Sequence, residues 1–185
     1  MKKISFEAFD HWVEDYDGVI AEEAFFNESE HFEDEGVHFH EGDLHVATLE
    51  IAPCVVINGN LTVDDDIVNE FDCGLLVVNG DLRCYDFTYS CDTVISGSLF
   101  AETIDVNSLN DCSLVVGGNI VANSVIERGH HIRVVGRIES PVIKSMMNSV
   151  IANGVTYPNV PYEETWADST SPSLDVIYGG SANIK

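Results

Sequence analysis

The chain has 185 residues and is 45% hydrophobic, which is enough to bury the core of one domain and excludes a disordered chain. Thirty-two acidic residues against eight Lys and Arg give a formal net charge of −24. This charge disfavours nucleic acid and anionic lipid as partners and favours a cationic protein. The alternative is that it keeps an exposed β rod soluble and prevents end-to-end association. No apolar stretch approaches the length of a membrane span, and the five cysteines contain no C-x-x-C pair, so we expect a reduced, cytoplasmic setting.

The first 36 residues are densely acidic and carry a helical pattern. They hold twelve acids and two lysines, and apolar residues recur at three- and four-residue steps from Phe6 to Ile20. A second stretch, from Glu22 to Phe32, places aromatic residues among further acids. These patterns predict one or two short helices.

A Gly-x-(Leu/Ile) step then recurs through the middle of the chain. Its glycines are 17, 21, 17, 21 and 18 residues apart, so the repeat averages about nineteen residues. A regular period of this size is typical of a solenoid, in which each unit buries its apolar face by stacking on its neighbours. The glycines are Gly42, Gly59, Gly80, Gly97, Gly118 and Gly136.

The residues around each glycine predict strands rather than helices. Short β-branched runs such as Val55-Val56-Ile57 precede the glycines, and apolar alternation with period two continues beyond them. A further apolar residue follows each glycine by seven positions, with Asp66 as the one break. The glycines would let the chain bend where a side chain cannot fit. No leucine-rich spacing and no small-residue hexad recur, which favours a right-handed coil over its rivals.

The predicted fold is therefore an all-β, single-stranded, right-handed β-helix or solenoid across residues 37–155. Both ends need a cover, because a terminal coil exposes unpaired backbone groups and apolar side chains. We expect residues 1–36 to form an acidic helical cap and residues 156–185 to form an irregular C-terminal cap with a short strand near Val176. The interior column should contain Leu61, Leu82, Leu99, Ile120 and Ile138, and the cap should join Phe6, Phe9 and Trp12 to Phe39 and Leu44.

Three histidines near the first glycine are candidate metal ligands. His38 and His40 would share one side of a strand, with His45 nearby, a spacing compatible with metal binding. The alternative is that His38 and His40 fill apolar positions of the first coil, since they precede Gly42 by four and two residues. We favour this alternative and expect no cofactor. The pair His130-His131 is expected to lie in a corner.

A dense acidic corner is the main candidate site, with five acids within nine residues. It can be a solvated turn, a calcium site, or a patch that faces the lysines and arginines of a partner protein. Calcium-binding β-rolls repeat their acidic motif, whereas this one occurs once. Aromatic neighbours would anchor a protein partner. The candidate partner-binding residues are Asp64, Asp65, Asp66, Glu70 and Asp72, with Phe71 and Tyr85 as anchors.

Enzymatic activity is not expected. Enzymes on β-helices align acid and base groups along one groove, but the residues three positions after the glycines are of mixed type. No nucleophile elbow, P-loop or dinucleotide fingerprint is present. The mixed positions are Arg83, Phe100, Val121 and Glu139.

The repeats also resemble known families. The segments 56–63 and 76–83 are similar to the VV-x-G-(D/N)-L-x-V repeats of bactofilin-like, polymer-forming β-helical proteins. Residues 113–126 resemble acidic β-solenoids found beside bacterial polymorphic toxins as immunity proteins. The resemblance covers residues 40–145 and implies fold more than function.

These observations favour a non-enzymatic, acidic binding protein of the bacterial cytoplasm. The leading hypothesis is an immunity protein that neutralises a cationic, nuclease-like toxin by covering its basic cleft, as a monomer or a discrete dimer. A nucleic-acid-binding enzyme is a related cationic partner, whereas nucleic acid and membrane are not expected partners. The alternatives are a bactofilin-like filament subunit and an enzyme or sugar-binding protein that uses the β-helix groove.

Overall fold

The computed structural model describes residues 1–20, 36–49, 54–68, 74–108 and 111–160. Within these ranges the chain forms stacked parallel coils of a β-solenoid of about six turns, with one helix near the N-terminus, which confirms the predicted fold class. The second predicted helix, at 22–32, and the predicted strand near Val176 lie outside the described residues.

The coils build three sheets, called A, B and C, and a full coil contributes one strand to each sheet. Sheet A contains, in spatial order, β1 (Lys2–Ile4), β2 (Val37–Glu41), β4 (Cys54–Asn58), β7 (Leu75–Val78), β10 (Asp92–Ile95), β13 (Ser113–Val116), β16 (His131–Val134), β19 (Ser149–Ala152) and β20 (Val155–Tyr157). Sheet B contains β3 (Leu44–Val46), β5 (Leu61–Val63), β8 (Leu82–Arg83), β11 (Leu99–Phe100), β14 (Ile120–Val121) and β17 (Ile138–Glu139). Sheet C contains β6 (Ile67–Val68), β9 (Asp86–Thr88), β12 (Thr103–Asn107), β15 (Ser124–Arg128) and β18 (Val142–Ser145).

Sheet A differs from the other two sheets at its ends. The strands from β2 to β19 pair in parallel, but β1 pairs antiparallel with β2 and β20 pairs antiparallel with β19. A reversed strand at an edge does not continue the coil, so both ends of sheet A are closed by the chain itself.

The predicted interior column is confirmed. The five residues pair in register from one coil to the next, and all are buried, with exposed fractions of 0% except for 9% at the last coil. Their side chains fill the space between the three sheets together with the other inward residues of each coil. In coil order they are Leu61, Leu82, Leu99, Ile120 and Ile138.

The repeated glycine is required by the close approach of consecutive coils. A Cβ atom on Gly59 would lie 2.4 Å from the carbonyl carbon of Gly42, and one on Gly97 would lie 2.6 Å from that of Gly80. Backbone atoms cannot yield to such a contact. Glycine is therefore required here because a side chain would not fit, and not because of its backbone conformation. Among these stacked glycines, only Gly42 at the end of the stack has a positive φ.

The residue after each glycine explains why the motif contains Asp, Asn or Ser. Its side-chain oxygen accepts a hydrogen bond from the backbone N–H of the equivalent residue in the next coil, at 2.8–3.0 Å. At the first step, Asn60 donates both its backbone N–H and its side-chain amide to Asp43, and these bonds lower the pKa of Asp43. This polar ladder runs through Asp43, Asn60, Asp81, Ser98 and Asn119 to Arg137.

The apparent break at Asp66 is explained by a one-residue insertion. Ile67 pairs with Phe87, although Ile67 follows its glycine by eight residues and Phe87 follows its own by seven. Ile67 is fully buried, whereas Asp66 is exposed. The interpretation that Asp66 interrupts the apolar column is therefore wrong, because the corner bulges by one residue and the column continues.

The N-terminal segment forms the predicted helix, α1 (Phe6–Glu14), which begins where Ser5 Oγ accepts from Ala8 N–H at 3.3 Å. The buried Phe9 and Val13 of α1 pack on the outer face of sheet A, in a cluster that also holds Val56, Val77, Val94 and Val115. Farther along, Val19 reaches the fifth coil beside Gly117.

Within residues 1–20 of the predicted cap, β1 thus pairs with the edge of the first coil, whereas α1 lies along a side of the coils. The expected contact with Phe39 is confirmed, since its ring lies 5.6 Å from that of Trp12. The expected contact with Leu44 is wrong, because Leu44 packs in the interior cluster. An amphipathic helix needs an apolar surface, and the valines of sheet A offer more of it than one terminal coil does.

Candidate functional site

The candidate acidic corner joins sheet B to sheet C in the second coil. Asp64, Asp65 and Asp66 follow β5 directly and are all exposed. Hydrogen bonds to the coils on both sides hold their backbone. The N–H groups of Asp64 and Asp65 donate to carbonyls of the first coil, and the carbonyl of Asp65 accepts from Tyr85 in the third coil. A corner with this many backbone bonds presents its side chains from a fixed frame.

Two of the three aspartates have partners in neighbouring coils. Asp64 Oδ1 lies 2.7 Å from His45 Nε2, in a pair that is about two-thirds exposed on both sides. Asp66 Oδ1 accepts from the backbone N–H of Asp86 at 3.3 Å. Beneath them, burial raises the pKa of the Cys84 thiol to about 12, with smaller contributions from the charges of Asp86 and Asp66.

Tyr85 lies at the same corner, one coil farther along. Its backbone N–H donates to the carbonyl of Asp65 at 3.2 Å, and its carbonyl accepts from Glu102 at 2.7 Å. Its side chain is 59% exposed. The structure therefore brings together four of the predicted partner-binding residues and adds Glu102, which the sequence analysis missed. Glu70, Phe71 and Asp72 lie outside the described residues.

Charge is distributed unevenly along the chain. Residues 4–82 contain 21 Asp and Glu but no Lys or Arg, whereas the remaining 106 residues contain 11 Asp and Glu and all eight cations. The acidic corner belongs to the cation-free part, so no lysine or arginine of the same segment neutralises it. Within the described residues Asp64 is paired with His45, whereas Asp65 makes no ion pair and can receive a cation from outside.

Two histidines of the first coil, His38 and His40, occupy inward positions, whereas His45 is exposed. His38 pairs in register with Val55 and His40 with Ile57, which confirms the predicted alternative. His40 Nε2 also lies 3.3 Å from the carbonyl oxygen of Asp43. Across the described part of the chain, no group of three or more His, Cys, Asp or Glu is arranged to hold a metal ion.

Sheet C contains a buried carboxylate that the sequence analysis did not identify. Glu127 is fully buried and points into the solenoid, where one of its oxygens accepts from three successive backbone N–H groups at 2.9–3.1 Å and from Ser145 Oγ at 3.2 Å. Its other oxygen accepts from Gly129 N–H. These donors compensate the loss of water and hold the turn between β18 and β19. The three backbone donors are Met146, Met147 and Asn148.

His130 lies close to this carboxylate and is itself 1% exposed. It lies in the expected corner, between β15 and β16, but its ring is buried there and its Nε2 lies 3.4 Å from the carbonyl of Cys91. Burial lowers the pKa of His130, while the hydrogen bond to Cys91 and the charge of Glu127 oppose this effect. Both side chains are closed off from solvent, so neither belongs to the exposed candidate site.

Comparison with protein-family models, with curated proteins and with solved structures found no match to this chain. None of the helices in the described ranges has the length and apolar character needed to span a bilayer. The candidate site therefore has to be interpreted from its own geometry.

Proposed function

We propose that the protein is a non-enzymatic, acidic binding protein that neutralises a cationic protein, and specifically a bacterial immunity protein against a nuclease-like toxin. The observation that carries this proposal is the exposed corner Asp64-Asp65-Asp66, held by backbone bonds within a 79-residue segment that lacks Lys and Arg. Three exposed carboxylates on a fixed backbone, with His45 as the described side-chain partner of Asp64, suit a basic protein surface.

The mechanism is occlusion. A nuclease holds phosphate with lysine and arginine side chains, and carboxylates at the acidic corner would pair with those same cations. The aromatic ring of Tyr85 would add contact area that charge alone does not provide. The protein thereby covers the basic cleft without chemical change to either partner.

The ends of sheet A support a discrete binder over a filament. A polymer built by end-to-end stacking requires coil edges that pair in parallel with the next subunit. The antiparallel strands β1 and β20 occupy both edges of sheet A and remove that option for the largest sheet.

The proposal is tested by capture and reconstitution. The full chain is immobilised, bound proteins are taken from a lysate of its own host and identified, and the purified partner is then bound at several salt concentrations. We expect a basic protein whose association rate falls as salt rises, because charges beyond about 8 Å are screened at physiological ionic strength. Its nuclease activity should stop when the chain is added.

The decisive variant is Asp64→Lys, Asp65→Lys and Asp66→Lys combined. Its matched control reverses Asp10, Glu14 and Asp17, three exposed acids of the N-terminal segment, and so has the same net charge. We expect the corner variant to bind at least tenfold more weakly than the control. Equal loss in both variants would reject a specific site, and filaments of the full chain in electron micrographs would favour the polymer-forming alternative.

A further inference from the structure

The outer face of sheet B is only one side chain wide. Its strands contain two or three residues, and each begins with a Leu or Ile whose side chain points into the interior. The residue after that Leu or Ile points outward, and these outward residues stack in register from coil to coil. The outward column is His45, Thr62, Arg83, Phe100, Val121 and Glu139.

This column is not covered by the N-terminal segment in the part of the chain that the structure describes, since α1 packs on sheet A. On one side the column is flanked by the polar ladder that begins at Asp43, and on the other by the corner that contains Asp65, Tyr85 and Glu102. The face therefore combines a partly exposed apolar pair, Phe100 and Val121, with polar sides that contain several carboxylates. This is the anatomy of a protein-binding surface.

The face already holds one cation in a way that indicates its preference. The guanidinium carbon of Arg83 lies 3.6 Å from the centre of the Phe100 ring, and Arg83 Nη2 lies 3.3 Å from Asp81 Oδ2. A planar guanidinium suits this combination of aromatic face and carboxylate better than a lysine ammonium does. Tyr85, placed between Asp65 and Glu102, offers a second set of the same groups.

We infer that the outer face of sheet B is the surface on which the cationic partner docks, with arginine side chains of that partner seated at Tyr85 and at the carboxylates along the sides of the column. This inference rests on the proposed function and specifies which face performs it. The occupant is a basic protein because the acids along the two sides of the column, Asp43, Asp65, Asp81 and Glu102, outnumber the cations Arg83 and Arg137 of the same described face.

The test compares two variants of the same coil that add the same charge. Val121→Arg places a cation at the centre of the sheet B face, and Ile126→Arg places it on the outer face of sheet C, where Ile126 is also partly exposed. We expect Val121→Arg to weaken binding of the captured partner at least tenfold and Ile126→Arg less than twofold. Equal affinity of both variants and the unmodified chain would overturn the docking face but leave the proposed function intact.

The arginine preference is tested separately with synthetic probes, and Tyr85→Ala also serves if Val121→Arg does not fold. The probes are a 12-residue peptide of alternating Arg and Ser and the same peptide with Lys for Arg. We expect the Arg peptide to bind more tightly, this preference to disappear in Tyr85→Ala, and Tyr85→Phe to retain it. Equal binding of both peptides to the unmodified chain would overturn the arginine assignment. Failure of the chain to bind any cationic protein would instead reject the proposed function.

Discussion

Replacement of Leu99 by Ala tests the stacked core most directly. Leu99 is fully buried and lies in register between Leu82 and Ile120, which are also fully buried. The lost side chain leaves a cavity whose walls are set by the coil spacing and cannot collapse. We therefore expect a cost of about 3–5 kcal/mol in the free energy of unfolding, the upper part of the range for buried leucines.

The matched control is Leu44→Ala, in the same column but at the terminal coil. Leu44 is only partly buried and has a described neighbour, Leu61, on one side. Its replacement should cost about 1–2 kcal/mol in the free energy of unfolding, because folding removes less apolar surface from water at this position. Urea unfolding followed by circular dichroism measures both, as a lower midpoint with an unchanged slope. An equal or larger cost at Leu44 would refute the assignment of the core.

Three further predictions follow from the backbone and from the buried polar groups. Gly97→Ala should lower the free energy of unfolding by about 3 kcal/mol, because the added Cβ would clash with the backbone of Gly80. Gly18→Ala should lower it by only about 1 kcal/mol, because Gly18 has a positive φ but open space around it. Glu127→Gln should cost about 2–5 kcal/mol in urea unfolding, since an amide cannot accept from donors on both of its ends. The lowered pKa of His130 means that the unfolded state binds its proton first, so stability should be constant above about pH 6.5 and fall below it. His130→Gln should reduce that slope, measured as urea midpoints between pH 7.5 and 5.5.

Each of these has a contrary outcome. Equal costs at Gly97 and Gly18 would show that the coils do not approach as closely as their backbone positions indicate. An unchanged urea midpoint in Glu127→Gln would mean that the hydrogen bonds of this carboxylate do not stabilise the turn between β18 and β19. An identical pH dependence with and without His130 would assign the acid sensitivity to other groups.

The solenoid could be predicted from sequence because its determinants are local and repeated. Alternation with period two sets the inward column, the glycine allows one coil to touch the next, and the Asp, Asn or Ser after it supplies the ladder acceptor. Each signal recurs in several coils, so one irregular coil does not hide it. Even so, the insertion at Asp64-Asp65-Asp66 was misinterpreted as a polar break in the core, because a one-residue bulge and a phase change look alike in a sequence.

The candidate site was only partly predictable. The acidic triad is contiguous, so its exposure followed from composition, and Tyr85 was placed beside it by the repeat. Glu102 was missed because it is a single acid, and only the register of the coils brings it beside Tyr85.

Three features were decided by the tertiary structure alone. The amphipathic pattern of α1 showed that one side of the helix is buried, but not that this side packs on sheet A. The packing surface is set by the valines that point outward from sheet A, and their alignment requires the stacked coils. Glu127 and His130 are polar residues that a sequence assigns to the surface, yet both are buried. Backbone N–H groups of the next coil donate to Glu127, and the carbonyl of Cys91 from another coil lies within hydrogen-bond distance of one ring nitrogen of His130. Residue order determines which side chains alternate, whereas only the stacked coils supply the partners that make a buried charge or a covered face stable.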